Sequence, residues 1–206
     1  MASDLPDWTT GVDILAQTIA TLKVDITAQT LGTLAIDIAA QSVGNINVNL
    51  AASAITLNVN IAASAVTLNI NIASQGAFNL AVDIKAQTLA QLNINIAASG
   101  VTLQVNIASQ TANLNVNIAA SAVTLNVNIT GSVQLNVNIA ASAVTLQVNI
   151  ASQTANLNIN IAASAVTLNV NLSSSSITLN INISSQSVTL NINIAASAVT
   201  LNVSIT

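Results

Sequence analysis

Apolar and polar residues alternate along nearly the whole chain. In Val66-Thr67-Leu68-Asn69-Ile70-Asn71-Ile72 every second residue is aliphatic and Thr or Asn stands between, which is the two-residue period of a strand with one buried face. Small residues flank each such stretch, as in Ala62-Ala63-Ser64-Ala65. The last aliphatic position of the pattern recurs eighteen times, from Ile14 and Ile26 through Ile129 and Ile139 to Ile205. The interval is eleven residues in most cases, twelve at five early places and ten once. Eleven residues also make three turns of a helix at ~3.67 residues per turn. The alternation within each unit decides against it, as do the Val, Ile and Thr that favour strands and the Asn that disfavours helices. The pattern predicts an all-β array of strands of about seven residues joined by corners of about four.

The alternation assigns each residue a face. Leu68, Ile70 and Ile72, and likewise Leu125, Val127 and Ile129, belong to inward aliphatic columns; Asn58 and Asn60, Asn126 and Asn128, and Asn180 and Asn182 belong to outward Asn columns. Stacked amides both donate and accept, so such columns can hydrogen-bond along the stacking axis without accumulating charge. A unit of odd length keeps its faces only if the corner absorbs the change of parity. Accordingly the ten-residue unit is short at the corner Thr130-Gly131-Ser132, and the twelve-residue units carry their extra residue near the strand start, at Gly32-Thr33 and Gly44-Asn45.

Chain geometry limits how the units close. A seven-residue strand spans roughly 20 Å and a four-residue corner reaches at most ~14 Å, so one unit cannot return to its own start. Three units fit the sides of a triangular β-prism, a repeat β-solenoid with aliphatic residues inside and Asn and Thr outside. Three interleaved chains, each supplying one side per level, would make a rod of roughly 85 Å, and one chain coiled alone a rod about a third as tall. The expectation is a prism assembled from several chains, with a single-chain coil and a meander of hairpins as the alternatives.

Composition narrows the function classes. The 206 residues are 52% hydrophobic, 4% charged and 1% aromatic, with a net charge of -4; mean hydropathy is +0.73, so the chain has ample material for a core and lacks the signature of disorder. With no Arg, and Lys23 and Lys85 as its basic residues, it cannot neutralise a nucleic-acid backbone. No apolar run reaches the ~20 residues of a membrane-spanning helix, and one Trp and one Phe cannot form the aromatic girdles of an outer-membrane barrel. Met1 to Thr10 lacks the basic start and apolar stretch of a secretory signal.

Neither His nor Cys is present, so the reading is of a non-enzyme with no cofactor and no metal: Ser has no imidazole beside it. Asp13, Asp25, Asp37 and Asp83 each replace the second Asn of a unit. Like charges stacked on neighbouring strands repel unless water, Lys23 or a cation intervenes, and the expectation is a solvated acidic end rather than the cage of six to eight oxygens that calcium needs. Residues 1–11, with Pro6 and Trp8, read as an N-terminal cap or attachment peptide, and 12–206 as the repeat array. At the other end Leu201-Asn202-Val203-Ser204-Ile205-Thr206 keeps to the pattern; repeat arrays need caps, so the expectation is end-to-end assembly or a following domain.

The early units Val24-Asp25-Ile26-Thr27-Ala28-Gln29-Thr30-Leu31-Gly32 and Ile36-Asp37-Ile38-Ala39-Ala40-Gln41-Ser42-Val43-Gly44, with Leu5-Pro6-Asp7-Trp8 before them, resemble repeats of β-repeat shaft and filament proteins of viruses and thermophilic microbes. The resemblance implies a fibre or surface-appendage role. With the geometry and the two chain ends it gives the expected setting: outside the cell or on a virion, copies of the chain as partner in a homotrimer or end-to-end filament, and attachment through the N-terminus. The sequence-level expectation is therefore a self-assembling structural β-fibre. An ice-binding β-solenoid, ordering water on its Thr and Asn ranks, is the alternative.

Overall fold

The structure is a computed structural model that describes residues 9–27 and 32–206. Pro6 and Trp8, with residues 1–8 of the expected cap, lie outside the described residues, while Thr9, Thr10 and Gly11 are already paired in the first strand. Seven elements follow in chain order: β1 (Thr9–Thr27), β2 (Thr33–Ala52), β3 (Ile55–Ser74), β4 (Ala77–Ala140), β5 (Ala143–Ala162), β6 (Ala165–Ser184) and β7 (Ser187–Ile205). They form one sheet in that order, and each is parallel to its neighbours. A meander of hairpins would be antiparallel, so the fold is a β-solenoid of stacked coils.

Each coil contains two sequence units. Val144 lies beside Val166 and Leu157 beside Leu179, so hydrogen-bonded partners stand two units apart. The long β4 is three successive coils: Asn93, Asn115 and Asn136, all within it, donate in series from each to the one before. With one coil in each of the six other elements, the eighteen units make about nine turns.

The coil is thus two-sided rather than triangular, and one chain closes it. In a coil of two units the second strand must run back opposite the first, and facing sheets lie ~10 Å apart, within the ~14 Å reach of a four-residue corner. Two units are therefore the smallest closed coil this spacing permits. The rod is about 43 Å tall at ~4.8 Å per coil, between the two heights that three-unit coils imply.

The side chains face as the alternation predicts. In β5 the inward row Val144, Leu146, Val148, Ile150, Ala155, Leu157, Ile159 and Ile161 is at most 3% exposed. Leu125, Leu146 and Leu168 stack in register through three coils, with Leu68, Ile70, Ile72, Val127 and Ile129 in equivalent buried columns. Among the described residues no buried side chain is polar or charged, and burying each large aliphatic one contributes ~1.5–3 kcal/mol.

The corners absorb the parity. After inward Ile161 come exposed Ala162, half-buried Ala163 and the exposed pair Ser164-Ala165 before inward Val166, so two successive outward residues restore the face. The register shifts at Ala39/Asn45, Ala63/Ala65 and Thr130/Val133 also fall at corners. In the short unit Gly131 adopts φ +119°, a conformation L side chains avoid. Corner hydroxyls bond to neighbouring backbone: Ser74 Oγ donates to the Ser53 carbonyl at 2.9 Å, and Ser185 Oγ to that of Ser164 at 3.1 Å. The coil edges are otherwise satisfied by backbone bonds such as Ser164 N–H to the Ser142 carbonyl at 3.0 Å.

Candidate functional site

Alternate units fall on opposite sides of the coil, and the two outer surfaces differ. Side one carries the strands that include Val59, Val82, Val127 and Val148; side two carries those that include Ile70, Ile94, Val137 and Ile159. On side two both outward Asn columns are continuous. In the first, Asn69 donates to Asn47 at 2.9 Å, and the series continues through Asn93, Asn115, Asn136, Asn158 and Asn180 to Asn202. In the second, Asn71 donates to Asn49, followed by Asn95, Asn117, Asn138, Asn160 and Asn182, each bond 2.9 Å.

These ladders have a direction, because every Nδ2 donates to the Oδ1 of the preceding coil. The amide dipoles therefore align, with their N–H ends toward the first coil. There Asn49 donates to Oδ1 of Asp25 at 2.6 Å, and Lys23 Nζ lies 2.6 Å from Oδ2 of the same carboxylate. A carboxylate accepts and cannot donate, so Asp25 suits the place where a ladder of donors ends. The Asn49 amide, then the Lys23 ammonium, hold its carboxyl below the ordinary value of 3.8.

A carboxyl lowered on folding stabilises the fold above its ordinary value, and that contribution disappears as pH falls through the lowered one. Thermal melts of the wild type from neutral to acid pH should show this loss. Asp25→Asn should lack that component, and identical pH profiles would contradict the assignment.

Side one is interrupted. Its second column runs through Asp13, Asp37, Asn60 and Asp83 before an amide series in which Asn128 donates to Asn106, Asn149 to Asn128, Asn171 to Asn149 and Asn193 to Asn171. Asp13 and Asp37 stack directly, while Asn60 separates Asp37 from Asp83 and donates to Asp37 at 2.5 Å. The first column mixes Ala35, Asn58 and Ala81 with Asn126 beside Gln147; among the described residues its one amide-to-amide bond is Asn191 to Asn169. Asn58 and Asn126 face outward without joining a ladder, whereas Asn128, Asn180 and Asn182 do join one.

The sequence pattern therefore locates the outward columns but not their sides. Asp13, Asp25 and Asp37 look consecutive along the chain, yet Asp25 lies on the other side of the coil from the Asp13–Asp37 pair. The available signal is the parity of the unit number, which acquires meaning only with two units per coil. Among the described residues no group of three carboxylates, His or Cys could hold a metal ion. Beside the second Asn column of side two runs an axial groove whose other wall includes Ala73, Ala97 and Ala119. Comparison with protein-family models, curated proteins and solved structures finds no match.

The ladder can be tested internally. Asn117→Asp removes the donor to Asn95 and sets a carboxylate against that acceptor. The bond is exposed, so the expected cost at neutral pH is the ~0.5–1.5 kcal/mol net worth of an ordinary hydrogen bond, read from chemical denaturation. No change would mean that the amide bonds do not help to hold neighbouring coils together.

Proposed function

We propose that the chain is a structural protein, a self-associating β-solenoid shaft of the virion-fibre or extracellular-filament kind. The observation that carries this reading is continuity: one aliphatic core and two amide ladders of a single direction run through the stacked coils, so every level repeats the mechanics of the last. Such an array resists bending because each coil is tied to the next by backbone bonds, amide bonds and packed aliphatic columns. Its repeat is also the same in every copy, which suits assembly of copies with one another.

The Asn rows of side two and the Thr row of side one, in which Thr124, Thr145, Thr167 and Thr189 stack in register, favour a second reading, an ice-binding solenoid whose rows order water. Sedimentation over a range of concentrations, with thermal hysteresis measured on the same samples, separates the two. The shaft reading expects mass to rise with concentration and freezing behaviour to remain that of an ordinary solute. A monomer with hysteresis supports ice binding and overturns the shaft.

A further inference from the structure

We propose that side two is a lateral interface that pairs with side two of a second copy, an inference that rests on the self-association proposed above. The asymmetry of the two sides motivates it. If Asn served only to stiffen the rod, both sides would profit equally, yet the complete ladders are confined to side two.

Self-pairing requires a surface complementary to itself. Among the described side chains, side two carries two charges, Lys23 and Asp25, already joined at 2.6 Å, and these cancel. Side one carries Asp13, Asp37 and Asp83 against Lys85 and meets a copy of itself with like charge. Each ladder amide spends one N–H and one lone pair along the axis and keeps a second of each, so an identical face offers the matching donor and acceptor.

Repeat length selects the partner. A face with repeat ~4.8 Å stays in register over eight steps only with a face of the same repeat; a mismatch of about 0.3 Å per step accumulates to about half a repeat. A second copy has that repeat by construction. The area also suffices: strands of roughly 20 Å over about nine coils present about 800 Å² per partner, the size of a stable protein interface. Asn ladders on facing sheets form dry, interdigitated contacts of this kind.

The test compares full-length Asn115→Lys on side two with Asn128→Lys on side one. Both remove one ladder amide that donates and accepts and add one positive charge, so effects on folding are matched and are checked by circular dichroism. The expected result is a dimer dissociation constant weakened about tenfold or more by Asn115→Lys, from like charges facing across the interface, and little changed by Asn128→Lys. A wild type that associates equally well with either variant, or loses association only through Asn128→Lys, overturns the lateral interface while self-association stands. A wild type that is monomeric at every concentration overturns both, including the case in which Asn115→Lys abolishes thermal hysteresis and side two faces ice.

Discussion

Leu125→Ala lowers the unfolding free energy by ~2–5 kcal/mol, the range for emptying a packed aliphatic site. Leu125 has no exposed surface and stacks on Leu146 in the next coil; the corner side chains that could collapse toward the cavity are small. The loss is local to the adjoining coils, because a quasi-one-dimensional array couples each unit mainly to its neighbours. Hydrogen exchange should therefore speed up in β4 and β5 before β2. The outward neighbour Asn126, which joins no ladder, supplies the control: Asn126→Ala should change stability by no more than about 0.5 kcal/mol. Equal effects at the two positions would contradict the inside-and-outside assignment of the alternating pattern.

Gly131→Ala is the second large effect. A Cβ at this residue would lie 1.8 Å from the Ser109 carbonyl oxygen, with φ at +119°, so the substitution meets a backbone clash and a conformation that L residues avoid. Strain of ~1–3 kcal/mol for the dihedral alone is joined by displacement of the corner below. The expected result is a loss of at least ~2 kcal/mol in denaturant unfolding, with disturbed register around Thr130 and Val133. Gly100→Ala is the matched control, since the nearest atom to its Cβ is that of Ala77 at 4.0 Å; it should be neutral or stabilise by ~0.4–1 kcal/mol through the unfolded chain. A tolerated Gly131→Ala would show that the short corner is built differently.

Gly131 also shows how much of the fold the sequence carries. One ten-residue unit among elevens and twelves marks a corner lacking a residue, and the structure closes that corner with the one positive-φ residue among those described. The inward columns of Leu68, Ile70 and Ile72 are equally legible, because alternation in a strand leaves no other face for them. The number of units per coil is not. It depends on the distance between facing sheets, a property of side chains packed across the interior and not of any one strand. The same missing number hides the sidedness of the Asn columns: Asn60 and Asn71 occupy identical places in their units, yet Asn60 donates to a carboxylate on side one and Asn71 to an amide on side two. Asp25 reads as one of three neighbouring acids and proves to end a ladder.

Electron microscopy of the purified protein, paired with its mass in solution, tests the central claim of a self-associating shaft most directly. The expected result is rods that add length or pair side by side, built from subunits of about 43 Å along the axis, as about nine coils at ~4.8 Å require, with a solution mass at a multiple of 20.7 kDa. A uniform 20.7 kDa particle at every concentration, with no filaments or pairs on the grid, would contradict it.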